Sequence, residues 1–484
     1  MSISTSLSNA LSGLGAAARA ADLVSANVAN ALTQGYARRT LELSSRSLAG
    51  NGAGVQIDGV SRQVDQALLA DRRLADATLS SAALSSDFYS DLEAAIGTPD
   101  QPNSLGGRIA GFASALVTAA SQPSSDQRLT GVLRAAQNLA AQFADISNML
   151  QSSRADADKQ IGKDVDTVND ALSRIAELNK DITVSLARGA DATSLMDQRQ
   201  LQVDRISPIL PLREIPRAGG QIALFTPQGA TLLDGRPSTL GFAPTHAVTA
   251  QMSLASGGLS GLTLNGQPLA FNGPNNKIDG GGLSALFALR DGAAPAAQAE
   301  LDALARDLVD RFQTPAADPS LNGAAGLFTD VGALFDPLNE GGLSARLAVN
   351  PLADPAQGGQ LSLLRDGLGA ATPGAVGDAT QLIALSAALQ SSRVPASGQF
   401  STGTRTAAGL AADFLSAIGG DRQNALADET YAAARHDTLS RLELENGVDT
   451  DQEMANLLQI ENAYSANARV ISTVDDMIQT ILRI

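Results

Sequence analysis

The chain reads as mainly α with inserted β domains. Its N- and C-terminal helices pair as a coiled-coil end domain next to a helical-bundle domain, with small antiparallel β domains at the outer tip. Three observations predict this. From Ile3, apolar or small residues recur at Leu7, Ala10, Leu14, Ala17, Ala21, Val24, Val28 and Ala31, in alternating steps of four and three, which is the seam of a supercoiling helix. The same period returns at Leu457, Ile460, Tyr464, Asn467, Ile471, Val474, Ile478 and Ile481. Between residues 212 and 282 the texture changes to short apolar runs such as "QIALF", broken by Gly, Pro and Asn, the pattern of short strands joined by turns. Asn467 is the strongly polar member of the second seam; it reads equally as a register device or as an exposed position.

In order along the chain, the first helix is expected to stop near Gly35, a residue suited to the left-handed conformation that closes a helix. A hairpin follows, because Leu41 and Leu43 alternate with Thr40, Glu42 and Ser44, and Val55 and Ile57 alternate again after the turn-rich stretch Ala49 to Gly54. Helical spacing resumes from about Ser61 through Val64, Leu68, Leu74, Leu92 and Ile96, and Gly97 and Pro99 break it. A second helical block runs from Ser104 to Ser207 with a stripe at Val165, Val168, Leu172, Ile175, Ile182 and Leu186, ended by Pro208 and Pro211. After the β-patterned stretch, helix returns at Leu283 to Phe312. A Pro- and Gly-rich segment from Thr314 to Gly377 has "ARLAV" as its clearest strand. Helices follow at Ala379 to Gln390 and Thr402 to Glu445. The last helix opens after Asn446 and Gly447, with Asp449 or Thr450 as N-cap and acidic Asp451 and Glu453 in its first turn. The expected units are residues 1–60 with 446–484 (terminal domain), 61–211 with 283–313 and 378–445 (helical rod-like domain), 212–282 (β domain) and 314–377 (outer segment).

Composition sets limits on function. A length of 484 residues exceeds a single core. Aromatics are 3% and Trp is absent, so the core rests on Leu, Ile, Val and Ala. A formal net charge of −16 argues against a nucleic-acid or anionic-membrane partner, both of which require a basic surface. Zero cysteines remove disulfides, thiolate catalysis and Cys-ligated metals, and leave the compartment open. No apolar run reaches the roughly 18 residues of a membrane span, so no membrane insertion is expected. The first charged residue is Arg19, so the basic start of a secretory leader is missing; this suits a cytoplasmic protein, or one exported on an uncleaved polar leader such as Ser2 to Ser8.

Residues with chemical potential are sparse. His246 and His436 stand far apart without a hydrolase pattern around them and read as ordinary surface residues. "GNGAGV" from Gly50 lies between two expected strands without a following helix or Lys, so it reads as a turn and not a phosphate loop. Asp475 and Asp476 are adjacent on a helix and point about 100° apart. "DGGGL" from Asp279 and "DPSLNG" from Asp318 lack the acidic spacing of a calcium loop. No catalytic residue, cofactor or metal is expected. The seams carry the argument instead. Each has apolar residues beside it, Leu23, Ala26 and Ala29 on the first and Met454, Leu458, Val470, Met477 and Leu482 on the last, a stripe wider than one partner helix covers.

At Ser25 to Thr40 the sequence reads "SANVANALTQGYARRT", and this resembles the N-terminal signature Asn-Asn-Ile-Ala-Asn-x-x-Thr-x-Gly-Tyr of the bacterial flagellar rod, hook and hook-associated axial proteins. Asn27, Ala29, Asn30, Thr33, Gly35 and Tyr36 fit it, while Ala26 and Val28 depart from it. The C-terminal stretch from Val448 resembles the matching family end, with Glu453, Ala463, Tyr464, Ala466, Asn467, Ala468, Val470 and Ile471 in the expected places. "IAELNKDI" from Ile175, "SLMDQRQLQVDRIS" from Ser194, "LSALFALRD" from Leu283 and the "GLF" at Gly326 resemble the helical region of the hook-filament junction members, whereas hook and rod proteins are mostly β between their end helices. Residues 314–377 depart from the pattern.

The resemblance implies a non-enzymatic structural protein, secreted through the flagellar type III pathway and located in the extracellular flagellum at the hook-filament junction. Its implied partners are copies of itself in a helical ring, hook protein, a second junction protein and an export chaperone. The implied assembly interface takes the seam residues Ile3, Leu7, Leu14, Val24, Val28, Leu457, Ile460, Tyr464, Asn467, Ile471, Val474, Ile478 and Ile481 with the signature residues Asn27, Asn30, Gly35 and Tyr36. The alternatives are a hook or distal rod protein, and, in another class, a secreted coiled-coil effector or adhesin.

Overall fold

A computed structural model describes residues 3–33, 35–48, 51–245, 247–269 and 276–483. Helix α1 (Ile3–Ala29) leads into a long hairpin of β1 (Arg38–Leu48) and β2 (Asn51–Gln63). Helices α2 (Gln66–Ile96), α3 (Leu105–Ala120), α4 (Asp126–Ala187) and α5 (Thr193–Ile206) follow. Next come β3 (Arg213–Pro216), β4 (Ile222–Phe225), β5 (Thr231–Asp234) and β6 (Arg236–Pro237), an antiparallel four-stranded sheet in sequence order. A three-stranded sheet is built from β7 (Leu240–Gly241), β8 (Thr263–Leu264) and β9 (Gln267–Pro268). Then α6 (Gly281–Ala288) passes through one π-helical turn (Leu289–Ala293) into α7 (Ala294–Phe312). Strands β10 (Phe328–Asp330) and β11 (Leu347–Val349) pair antiparallel around the short α8 (Leu343–Arg346); α9 (Leu363–Asp366), α10 (Thr380–Gln390), α11 (Ala407–Glu445) and α12 (Thr450–Leu482) complete the chain. The fold is mainly α with small antiparallel sheets.

The 62 residues of α4 extend about 93 Å at 1.5 Å per residue, and both hydrophobic cores are built on it. One core joins Leu129, Leu139, Phe143 and Leu150 of α4 to α3, α7, α10 and the start of α11, with Phe112, Phe312 and Phe328 stacked edge to face. Residues 314–377 belong to this core, through Leu327, Phe328, Leu343, Leu347, Val349, Ala353, Leu364 and Leu368. The second core joins Ile161, Val168, Leu172 and Ile175 of α4 to α5, α6 and the sheets. The sheets therefore lie alongside the C-terminal half of α4 and not beyond its end, and side chains of α4 hold them there. Asn179 donates to the Ile222 carbonyl and accepts from its amide, Asn169 does the same for Leu240, and Asp158 accepts from the Thr245 amide. The Asn169 pair substitutes for ladder bonds that β7, an edge strand, otherwise lacks.

Two expected boundaries move. The first helix ends at Ala29, not at Gly35, because Asn30 turns its side-chain amide back onto the Ala26 carbonyl (2.9 Å) and the chain tightens through Asn27 and Val28. Residues 61–63 continue β2; helix begins only at Gln66, where the Asp65 carboxylate accepts from the amides of Ala67 and Leu68. The Asp449 cap of the last helix is made as expected, accepting from Asp451 and Gln452.

The π-helical turn has a visible cause. Arg290, fully buried, donates to Asp158 (2.6 Å) and to both oxygens of Asp291, with its guanidinium 4.8 Å from the Phe287 ring centre. Bringing Arg290 into reach of α4 requires the extra residue that a π turn supplies. Removing Asp158 leaves Arg290 Nη1 and the Thr245 amide without their acceptor, with only Asp291 still paired to Arg290. Asp158→Ala is accordingly expected to destabilise the full chain by about 3 kcal/mol, read as a lowered midpoint in urea denaturation, with Asp158→Asn milder.

Candidate assembly interface

Neither hydrophobic core includes any residue of α1, the hairpin or α12. These three elements form a separate unit, and a polar clasp ties it together. Asn27, buried near the end of α1, donates its amide to the Arg39 carbonyl (2.9 Å) and to Glu453 Oε2 (3.1 Å), while its Oδ1 accepts from the Tyr36 hydroxyl (2.9 Å) and the Arg39 amide (3.0 Å). Glu453, in the first turn of α12 and only 1% exposed, accepts from Arg38 Nε through its other oxygen at 2.7 Å. All four hydrogen-bonding positions of the Asn27 amide are thus used. The Arg39 guanidinium stacks 4.8 Å from the Tyr36 ring centre. Burial, helped by Asp197, Glu453 and Asp191 and opposed by Arg39, holds the Tyr36 hydroxyl above its ordinary pKa.

A second carboxylate fastens this unit to the helical body. Asp197 on α5 accepts from Arg39 Nη2 and Arg62 Nε, each at 2.8 Å, and from the Ala37 amide at 3.4 Å. Burial lowers the pKa of Arg62, and its bond to Asp197 opposes that. Gly35, at φ +76°, lies against α5: a Cβ there would sit 2.6 Å from Leu201. On the α11 side, Arg72 of α2 reaches Asp76, Asp204 and Glu443 at 2.5, 2.7 and 2.9 Å. Burial works against the Arg72 charge, but the three carboxylates outweigh it and raise its pKa.

Helices α1 and α12 run antiparallel, since Asn27 meets Glu453 while Gly13 faces Asn467, so closely that a Cβ on Gly13 would lie 2.8 Å from the Asn467 amide nitrogen. Along the predicted seams, Ala10, Ala17, Val24 and Val474 are buried. Ile3, Leu14, Val28, Leu457, Ile460, Asn467, Ile471 and Ile478 are half-buried, and Leu7, Tyr464 and Ile481 are exposed. The flank of α1 differs from expectation: Leu23 is buried, because the hairpin covers α1 from a second side, with Gly54 seated against Asn9 and Ser12. The flank of α12 stays open. Met454, Leu458, Val470, Met477 and Leu482 are exposed, Leu458 at 60% and Leu482 at 80%. Burying one such side chain is worth about 1.5–3 kcal/mol.

The signature residues Asn27, Asn30, Gly35 and Tyr36 thus make contacts within the chain, while most of the unit's exposed large apolar side chains are on α12. Arg38, Arg39, Arg62 and Asp197 complete the clasp and were not singled out from sequence; the paired arginines after Tyr36 are the one local signal, and it covers only Arg38 and Arg39. The other chemical candidates are accounted for locally. His436 lies 3.3 Å from Asp76 beside the Arg72 cluster, and His246 lies outside the described residues. Asp318 is buried and organises its own loop, accepting from Ser320 and the Leu368 amide. Asp475 accepts from Gln479 and, like Asp476, is exposed on α12. Among the described residues no group of three or more His, Asp or Glu has metal-site geometry, and no helix is long and apolar enough to cross a membrane.

A helical body carrying a separate unit of paired chain ends, one of whose helices leaves an apolar flank open, is a form suited to packing against further helices. The model of the flagellar hook-associated protein FlgK helical domain matches residues 89–328, and that of the flagellar basal body rod FlgEFG protein C-terminal region matches residues 445–484. These matches make the chain similar to the flagellar hook-associated protein 1 family. It is 28% identical over 240 residues to flagellar hook-associated protein 1 of Salmonella typhimurium, covering 48% of this chain and 43% of that protein. It is 23% identical over 486 residues to the Bacillus subtilis protein of the same name, covering 94% and 93%. The matched stretch thus spans under half of the Salmonella relative. The solved flagellar hook junction protein FlgK from Burkholderia pseudomallei aligns with a TM-score of 0.43 and 23% identity, over 54% of this chain and 46% of that one.

Because both oxygens of Glu453 accept in the clasp, Glu453→Ala is expected to release the start of α12. Hydrogen exchange at amides of residues 453–470 should accelerate at least tenfold, equivalent to about 1.4 kcal/mol, while protection in α4 stays unchanged.

Proposed function

We propose that this chain is a structural, non-enzymatic junction subunit of the bacterial flagellum, joining hook to filament and assembling through its terminal helices. The observation that carries the reading is the uncovered apolar flank of α12 in a unit that is otherwise closed by buried polar bonds. An isolated helix pair with an Ala-rich seam buries little area, and ordering each residue costs about 1–2 kcal/mol of entropy. Covering the flank with equivalent helices of neighbouring copies supplies the missing burial. The same reasoning makes residues 1–60 and 446–484 the assembling unit, with the assembly residues centred on Leu457, Ile460, Tyr464, Ile471, Ile478 and Ile481. Hook protein on one side and the second junction protein on the other are the partners this reading assigns. Export by the flagellar type III pathway, with an export chaperone, follows from the family resemblance and suits a chain without cysteines. The helical match over residues 89–328 favours a junction role over a hook or distal rod role, and a swimming defect on deletion separates it from a secreted effector or adhesin.

Leu458 tests the reading, because it is exposed in the free subunit. Leu458→Asp should leave the melting curve of the purified protein unchanged and its export intact, yet yield cells that shed flagellin into the medium and carry no filaments. Ile471→Asp on the seam should act the same way. Normal filaments in both strains would refute assembly through α12.

A further inference from the structure

Where the hairpin meets the helical body, three arginines line one cavity with a single carboxylate, Glu214, in its wall. A cavity of about 40 Å³ is lined by Arg62 of β2, Arg73 of α2, Arg199 of α5 and Glu214 of β3, with Gln200 and Met196 completing its wall. Arg73, 3% exposed, donates Nε to Asp204 and Nη1 to Glu214, but its buried Nη2 has no hydrogen-bond partner among the described residues. Arg199 is also buried, and its Nη1 donates only to neutral oxygens, Asn179 Oδ1 at 2.9 Å and the Gly220 carbonyl at 2.6 Å. Among the described residues it makes no ion pair. Asp197 is shared by Arg62 and Arg39, and Asp204 by Arg73 and Arg72, so neither carboxylate pairs with Arg199. Burial, together with Arg62 and Arg73 and against the pull of Glu214, lowers the Arg199 pKa to about 10.

A buried guanidinium without a counter-charge, and a buried N–H without an acceptor, are both unfavourable. We infer that this cavity is a binding site for a small monovalent inorganic anion of chloride size, held by Arg73 Nη2, Arg62 and Arg199. The volume admits one ion, since about 10–15 Å³ suffices for a water, and it excludes a polyatomic organic anion. A water would satisfy the donor but bring no counter-charge to Arg199. The entry route is the cleft of about 720 Å³ between the hairpin and the α4–α5 connection, which shares Arg62, Met196, Arg199 and Glu214 with the cavity. An ion there joins β2 to α2 and α5, so it stiffens the joint between the assembling unit and the body.

The test is thermal unfolding of the full chain in sodium chloride against sodium gluconate at equal ionic strength. Chloride should raise Tm by roughly 1–3 °C with a saturating dependence on concentration; coincident curves overturn the proposal. Gln200→Glu, nearly isosteric, places a carboxylate in the wall and should remove the difference between the two salts, and an undiminished chloride response in that variant counts against the site. In crystals of the full chain soaked in bromide, an anomalous peak within hydrogen-bond reach of Arg73 Nη2 is expected. Water alone at that position, with no bromide peak, would sink the inference.

Discussion

The carboxylate of Glu453 holds together three stretches of chain that no hydrophobic core unites. It ties the first turn of α12 to the end of α1 through Asn27 and to the start of the hairpin through Arg38. Its burial makes those bonds directional and expensive to break, since an ionised carboxylate taken from water must keep its donors. Asn27 doubles the effect by fixing Tyr36 and both backbone groups of Arg39. The terminal unit is therefore positioned by geometry of polar groups and not by the amount of apolar surface it removes from water.

That division explains how the molecule is built along its length. The two cores are strung on α4, where large side chains such as Phe143, Leu150 and Ile175 are wholly or almost wholly buried. The unit formed by α1, the hairpin and α12 buries mainly small side chains, Ala10, Ala16, Ala17 and Ala37 beside Leu23, Val24 and Val474. Asp197 attaches it to the body through ion pairs with Arg39 and Arg62 of the hairpin. Such a joint is specific in direction while giving modest stability, as expected of charge pairs that are partly hydrated. A subunit that gains its remaining burial from neighbours needs this arrangement: a firm body, and ends whose apolar flank is still available.

Much of this was legible in the residue order. The seam period marked both end helices, the Asp449 cap and the change of texture at residue 212 marked boundaries, and the signature around Asn27 and Tyr36 marked the family. The clasp was not legible, because Arg38, Arg39, Arg62 and Asp197 are ordinary charged residues in sequence and become partners only when β1, β2 and α5 meet. The premature end of α1 escaped for a similar reason. Asn30 folds its side chain back on Ala26, a local competition between side chain and backbone that periodicity does not register. Residues 314–377 look like loop by composition, yet their scattered Leu and Phe fill one core; spacing carries no period when the chain turns every few residues.

By itself the sequence determined which segments are helical, which are apolar on one side, and that neither chain end can be covered by a single partner. Those properties follow from local periodicity and side-chain chemistry. Only the tertiary structure decided that the hairpin covers the flank of α1 while that of α12 is left open, and that buried Glu453, not the seam, fixes how the ends meet. The physical reason is that coverage and counter-charge belong to pairs of distant residues, and a linear pattern holds no information on which pairs will touch.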